Sequence, residues 1–161
     1  MKITITALLL SLAAGSVQAS GFDETQCSIV GEAYYRLADL RDNRADRAYA
    51  IHSVTLFMNG KDRTGSHLAA KDHRKLVAIY YDYIAARKDM DKGLMLVHGI
   101  NLCLKSKAAQ TDQELESYGR ELDAVTRRCM TQFPQTAQRR SMGTCIEQGL
   151  QTTPAQSAAN P

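Results

Sequence analysis

The sequence predicts an all-α fold, five or six helices in an array or bundle crosslinked by two disulfides. Three observations support this. Every apolar segment repeats at three- and four-residue steps, and no stretch alternates with period two. The chain has no tryptophan and only three phenylalanines, while Ala, Leu and Gln are plentiful, a balance that favours helix over sheet. Its four cysteines, Cys27, Cys103, Cys129 and Cys145, are even in number and follow an export signal, so they suit pairing in an oxidising compartment.

That signal occupies residues 1–19. Lys2 supplies a positive start, Ile3 to Ala14 an apolar run, and Val17-Gln18-Ala19 small residues at the positions a signal peptidase reads. A membrane-spanning helix needs roughly 20 apolar residues, more than this run provides. Cys27 stands too far downstream for lipid attachment. The short single-lysine start suits a bacterium, so the expected address is the periplasm, with secretion as the alternative. Residues 20–150 are then expected to form one helical domain, long enough for a real core. Residues 151–161 are Thr, Pro, Ala, Gln, Ser and Asn without apolar periodicity, and are expected to form a disordered tail. The formal charge is +3, and losing Lys2 with the signal lowers it by one. No basic stripe dominates, which argues against nucleic acid as a partner.

The first helix is expected over 23–42, with Asp23 as N-cap and a stripe through Cys27, Val30, Tyr34, Leu37 and Arg41. Arg41 to Arg44 interrupts the stripe and turns the chain. A second helix is expected over 44–58 on Ala48, Ile51, Thr55 and Met58, widened by Val54 and Phe57. Residues 59–65, with two glycines among polar residues, read as a loop. Ser66 can cap a third helix to Arg87, facing inward through Leu76, Val77, Tyr80, Tyr83 and Ile84. Asp89 is expected to open a fourth through Met90, Leu94, Val97, Ile100, Cys103 and Leu104, with Gly93 and Gly99 read as sites of close helix packing. Thr111-Asp112-Gln113-Glu114 fits a capping box for the fifth helix. Leu115, Tyr118, Leu122, Val125 and Cys129 form its stripe. Pro134 ends that helix or starts the sixth, which carries Met142, Cys145, Ile146 and Leu150.

No arrangement of catalytic, metal or cofactor residues stands out, so none is expected. His67 and His73 lie six apart, on different faces of one helix, and His52 and His98 are isolated, so all four read as surface or core residues. The cysteines form no Cys-x-x-Cys, which disfavours zinc, haem attachment and disulfide-exchange chemistry. Carboxylates such as Asp72, Asp82, Asp89 and Asp91 are scattered, and adjacency such as Ser66-His67 identifies no triad. Adjacent helical residues point about 100° apart. Tyr34, Tyr80 and Tyr83 therefore fit the core face, while Tyr35 and Tyr81 fall at the boundary, as candidate partner anchors. Arg127, Arg128, Arg139 and Arg140 flank the Pro134 turn and could share one end of a hairpin suited to an acidic partner.

From Cys27 to Asp42 the chain reads Cys-x-x-x-Gly-x-x-x-Tyr-x-x-Ala-x-x-Arg-Asp. This resembles the opening of small exported helical proteins of Gram-negative bacteria that carry no assigned function. Ile79-Tyr80 in the third helix and Cys103 at the end of the fourth extend the likeness over roughly half the chain. The resemblance implies an all-helical fold and a Cys27–Cys103 bridge, and it implies no activity. It does not cover Cys129 to Cys145. The expected connectivity is Cys27–Cys103 with Cys129–Cys145, the second stapling the fifth helix to the sixth. That second bond is badly offset if the sixth helix begins at Gln135, and is better placed if it begins near Ser141.

The expected function is non-catalytic binding of another protein, as an accessory, inhibitor or immunity factor. A carrier of lipid or another apolar ligand is the first alternative and an enzyme the second. Small size, crosslinked helices and spare boundary tyrosines fit the first.

Overall fold

A computed structural model describes residues 21–61, 73–109, 111–134 and 139–152, with the backbone alone for 21–23 and 139. Six helices run in order: α1 (Gly21–Asp42), α2 (Arg47–Lys61), α3 (His73–Ala85), α4 (Lys92–Ala108), α5 (Asp112–Gln132) and α6 (Arg139–Thr152). Among the described residues there is no strand. The all-α expectation and both expected disulfides hold. The signal segment and the 62–72 stretch containing Ser66 and His67 lie outside the described residues.

Local chemistry moves several boundaries. α1 already begins at Gly21, so Asp23 lies inside the helix and is not its cap. Arg44 takes a left-handed φ of 57°, and Asp46 then accepts from the backbone N–H groups of Ala48 and Tyr49 at 2.9 and 3.2 Å. That cap starts α2 at Arg47, not at residue 44. α2 continues through Asn59 and Gly60, where a loop was expected, while the Asn59 side chain binds His73 Nδ1 at 2.7 Å. Its buried stripe is Ala50, Ile51, Val54 and Met58; Ala48 faces out and Thr55 is only half-buried. Asp91, not Asp89, caps α4, accepting from Gly93 and Leu94 N–H at 2.7 and 3.0 Å. Leu104 ends up 41 % exposed, outside the stripe to which it was assigned. Thr111 caps α5 as expected, accepting from Glu114 N–H at 3.2 Å. α6 reaches Thr152, two residues into the expected tail, and the remainder of that tail lies outside the described residues.

α1 and α4 form the most extensive helix pair. Cys27 bonds Cys103 with Cα atoms 5.3 Å apart. One turn further along each helix, Gly31 meets Gly99, where a Cβ built on Gly99 would stand 3.0 Å from the Gly31 Cα and 2.8 Å from the Tyr34 ring. The close-packing reading of Gly99 is thereby confirmed. A disulfide also ties α5 to α6, Cys129 to Cys145, with Cα atoms 5.9 Å apart. One turn away, Gly149 packs on Val125, at 2.5 Å from a built Cβ. Because α6 starts at Arg139 and not at Gln135, the axial offset between the two cysteines shrinks to about one helical turn, which the bond spans.

Leu37, Met58, Ile84, Met95, Leu122 and Ile146 fill the core, each at most 1 % exposed. Arg41, at the end of α1, closes the α3–α4 corner. Its guanidinium donates to the carbonyls of Ile84, Arg87 and Met90 at 2.8 to 3.1 Å, and pairs with Asp42. The Ile84 and Arg87 carbonyls, which each accept one backbone N–H as well, and the Met90 carbonyl thus share a charged donor.

Candidate functional site

The α5–α6 turn brings two hollows together. On one side lies an apolar cleft of about 460 Å³. α1 contributes Tyr35 to it, α4 Leu94 and Val97, the end of α5 Met130 and Phe133, and α6 Met142. On the other side, against the Cys129–Cys145 bond, is a hollow of about 760 Å³. Arg128, Gln132, Arg140, Ser141, Thr144 and Gln148 line it, and none of its lining residues is a carboxylate. Phe133, the residue that closes α5, lines both.

The arginines divide between these surroundings. Arg127 turns to Asp89 in the α3–α4 corner and forms an ion pair. Arg128 and Arg140 are exposed and make no ion pair among the described residues, whereas Arg36, Arg47, Arg87 and Arg120 each face an acid. Arg139 opens α6, and its side chain lies outside the described residues. The four therefore flank one turn, but Arg127 turns to Asp89 and Arg128 to the hollow beside the disulfide, as neighbours about 100° apart on a helix must.

The tyrosines also separate. Tyr35 is half-buried, with the Lys92 ammonium 5.2 Å from its ring, and it borders the apolar cleft. Tyr81 is half-buried on α3 beneath the Arg47 guanidinium, 5.6 Å from its ring centre, and borders neither hollow. Its side faces α2, so it does not extend the Tyr35 surface. Tyr34, Tyr80 and Tyr83 do pack inward as a group, with Tyr34 4.8 and 5.7 Å from the other two ring centres. Tyr49, which no expectation singled out, is the openly exposed tyrosine at 60 %. The expected α2 stripe already turns Tyr49 outward, since at about 100° per residue it lies on the far side of the helix from Ile51 and Met58.

His98 was read as isolated, yet it anchors a buried network. The ring is fully buried, and Tyr83 Oη and Thr126 Oγ1 lie 3.0 and 2.9 Å from its two nitrogens. A neutral imidazole donates through one nitrogen and accepts through the other, so both are satisfied. Asp123 stands 3.7 Å from Nδ1 but is held by a bidentate pair from Arg87, at 2.7 and 2.5 Å. Burial drives the His98 pKa down to about 4, with Asp123 opposing and Arg87 reinforcing the shift. Burial likewise pushes Tyr80 up to about 12 and raises Tyr34 and Tyr83 further. With Tyr83 ordinarily protonated and His98 sealed from solvent, the cluster is built to hold α3, α4 and α5 together.

Among the described residues, no three His, Cys, Asp or Glu side chains are placed to hold a metal ion. No helix among them is long and apolar enough to cross a membrane. Comparison of the chain with protein-family models, curated proteins and solved structures gives no match.

Proposed function

We propose that the protein is a non-catalytic, exported binding protein of accessory, inhibitor or immunity type, and that it seats an acidic segment of another protein at the α5–α6 end. One observation carries this reading. Phe133 joins an apolar cleft, whose two aspartates are engaged by Arg127 and by the start of α4, to a hollow lined by no carboxylate and by two arginines that make no ion pair among the described residues. Protein interfaces favour that combination, an aromatic and methionine-lined centre beside arginine. The two guanidinium groups attract an acidic segment, and the cleft takes an apolar side chain carried by it. The periplasmic address rests on the signal-like residues 1–19, and the two disulfides are compatible with an exported protein.

The test is a pull-down from periplasmic extract, comparing wild type with Arg128→Glu/Arg140→Glu, Tyr35→Ala and Tyr81→Ala. A protein kept by wild type and Tyr81→Ala, lost from the other two variants and released by salt, is the expected result. Salt matters because exposed charges are screened within about 10 Å at 0.1 M. Failure of wild type to retain anything specifically, or equal retention by all four, refutes the proposal.

A further inference from the structure

A second cleft, of about 870 Å³, lies between α3 and α5. α1 and α4 form its floor with Val30, Tyr34, Gly99 and Leu102, and α3 and α5 form its walls. Its size falls in the range of pockets that take small molecules. The Arg87–Asp123 pair ties the walls together, so the space is bounded and not merely an open seam.

Beside the inner part of this cleft stand several hydrogen-bond donors. The hydroxyls of Tyr34 and Tyr80 make no hydrogen bond among the described residues. Nor are they sealed in the protein: the sole fully buried side-chain N or O atom without a partner among those residues is His73 Nε2. Tyr34 itself is only 4 % exposed, so what it shows to solvent it shows inside the cleft. Arg87 stands with them, its guanidinium carbon 3.3 Å from the Tyr83 ring centre. Three of its N–H groups are used by Asp123 and the Tyr83 carbonyl, which leaves two to donate. All these groups can donate. Charge does not favour an anion, because Asp123 already neutralises Arg87, Glu116 pairs with Arg120, and Asp112 also lines the cleft. At the mouth Ile79 is 65 % exposed, an apolar lip.

We propose that the α3–α5 cleft is a binding site for a neutral amphiphile, an apolar chain or ring system ending in a hydrogen-bond acceptor such as an ester, amide or quinone carbonyl. The apolar body lies along Ile79, Leu76, Leu102 and Leu115, and the acceptor meets the hydroxyls of Tyr34 and Tyr80. An anionic head of the same length binds worse, because it must lose its hydration beside a charge already neutralised. This site is separate from the α5–α6 end and shares none of the residues varied there.

The test displaces the fluorescent probe N-phenyl-naphthylamine from the intact folded protein with methyl dodecanoate or dodecanoate at neutral pH. The ester is expected to compete about tenfold better than the anion, which pays for desolvation. Tyr34→Phe/Tyr80→Phe keeps the rings and is expected to weaken the ester about fivefold, the worth of a lost hydrogen bond. Gly119→Leu fills the cleft beside Leu102, where a built Cβ has 3.8 Å of room, and is expected to abolish uptake. Ile79→Glu alters only the exposed lip, so it reports on the cleft even if Gly119→Leu fails to fold, and it too is expected to reduce uptake. Absence of probe binding, an anion that competes as well as the ester, or uptake unchanged in both Ile79→Glu and the double phenylalanine variant overturns the proposal.

Discussion

Acidification from pH 7 to pH 4.5 should weaken the fold through His98. In the folded protein its pKa is about 4; in the unfolded chain it is about 6.5. The unfolded state therefore takes up the proton first. The stabilisation is fully present above about pH 6.5 and is lost progressively as pH falls through the folded value near 4. Integrating the proton uptake between pH 7 and 4.5 gives a loss of about 2.4 kcal/mol, close to tenfold twice over in the folding constant. In a domain of this size that is a drop of roughly 10 °C in Tm. Carboxylates titrate in the same window, so the informative quantity is the difference between wild type and His98→Gln, whose amide can still meet Tyr83 and Thr126 but cannot take a proton. Urea melts of both at the two pH values should show wild type losing about 2 kcal/mol more than the variant. Equal acid losses would refute the argument, as would a His98 ring whose NMR shifts titrate near 6.5.

Three further outcomes follow from packing. Gly99→Ala should destabilise by about 1–2 kcal/mol, overpacking against Tyr34 and Gly31 outweighing the helix-propensity gain, whereas Gly143→Ala, whose built Cβ meets nothing within 4 Å, should stabilise; thermal melts read both signs. Arg41→Ala should cost about 2 kcal/mol in a urea melt, because Met90 O loses its donor while the Ile84 and Arg87 carbonyls keep one backbone N–H each, and Arg41→Lys should recover only part of it, since one ammonium cannot reach all three. Replacing Cys27/Cys103 by serine should cost about 4.5 kcal/mol and Cys129/Cys145 about 3, following the lengths of the loops they close; the reverse order in denaturant midpoints would speak against the loop-entropy account.

Helix content, the Thr111 cap and the inward faces of α3 and α5 were legible in the sequence, because each depends on residues within one or two turns of one another. The α1 and α4 patterns held more than periodicity alone shows. Cys27 with Gly31 reads Cys-x-x-x-Gly, and Gly99 with Cys103 reads Gly-x-x-x-Cys, the mirrored spacing that antiparallel helices need to bring both pairs level. α2 was misread where the stripe is two-sided: Ala48 and Ala50 are equally apolar, and only contact with α1 and α3 decides which faces inward. Asp89 and Asp91 are equally plausible caps on paper. Asp91 wins because the corner held by Arg41 places it at the first open N–H groups, and Asp89 is left to meet Arg127 on a helix 38 residues later. Likewise, no local signal joins Tyr83, His98, Asp123 and Thr126, or places Tyr35 beside Phe133. They come from separate helices, Tyr83 from α3, His98 from α4 and Asp123 with Thr126 from α5, and which side chains share a cleft is settled by how six rigid cylinders rotate against one another to bury their stripes, a choice made jointly by all the contacts and written in no single segment. The sequence by itself therefore determined that the chain folds as helices and, at Thr111, where one of them starts; the tertiary structure alone decided the other caps, the two clefts and what faces into them.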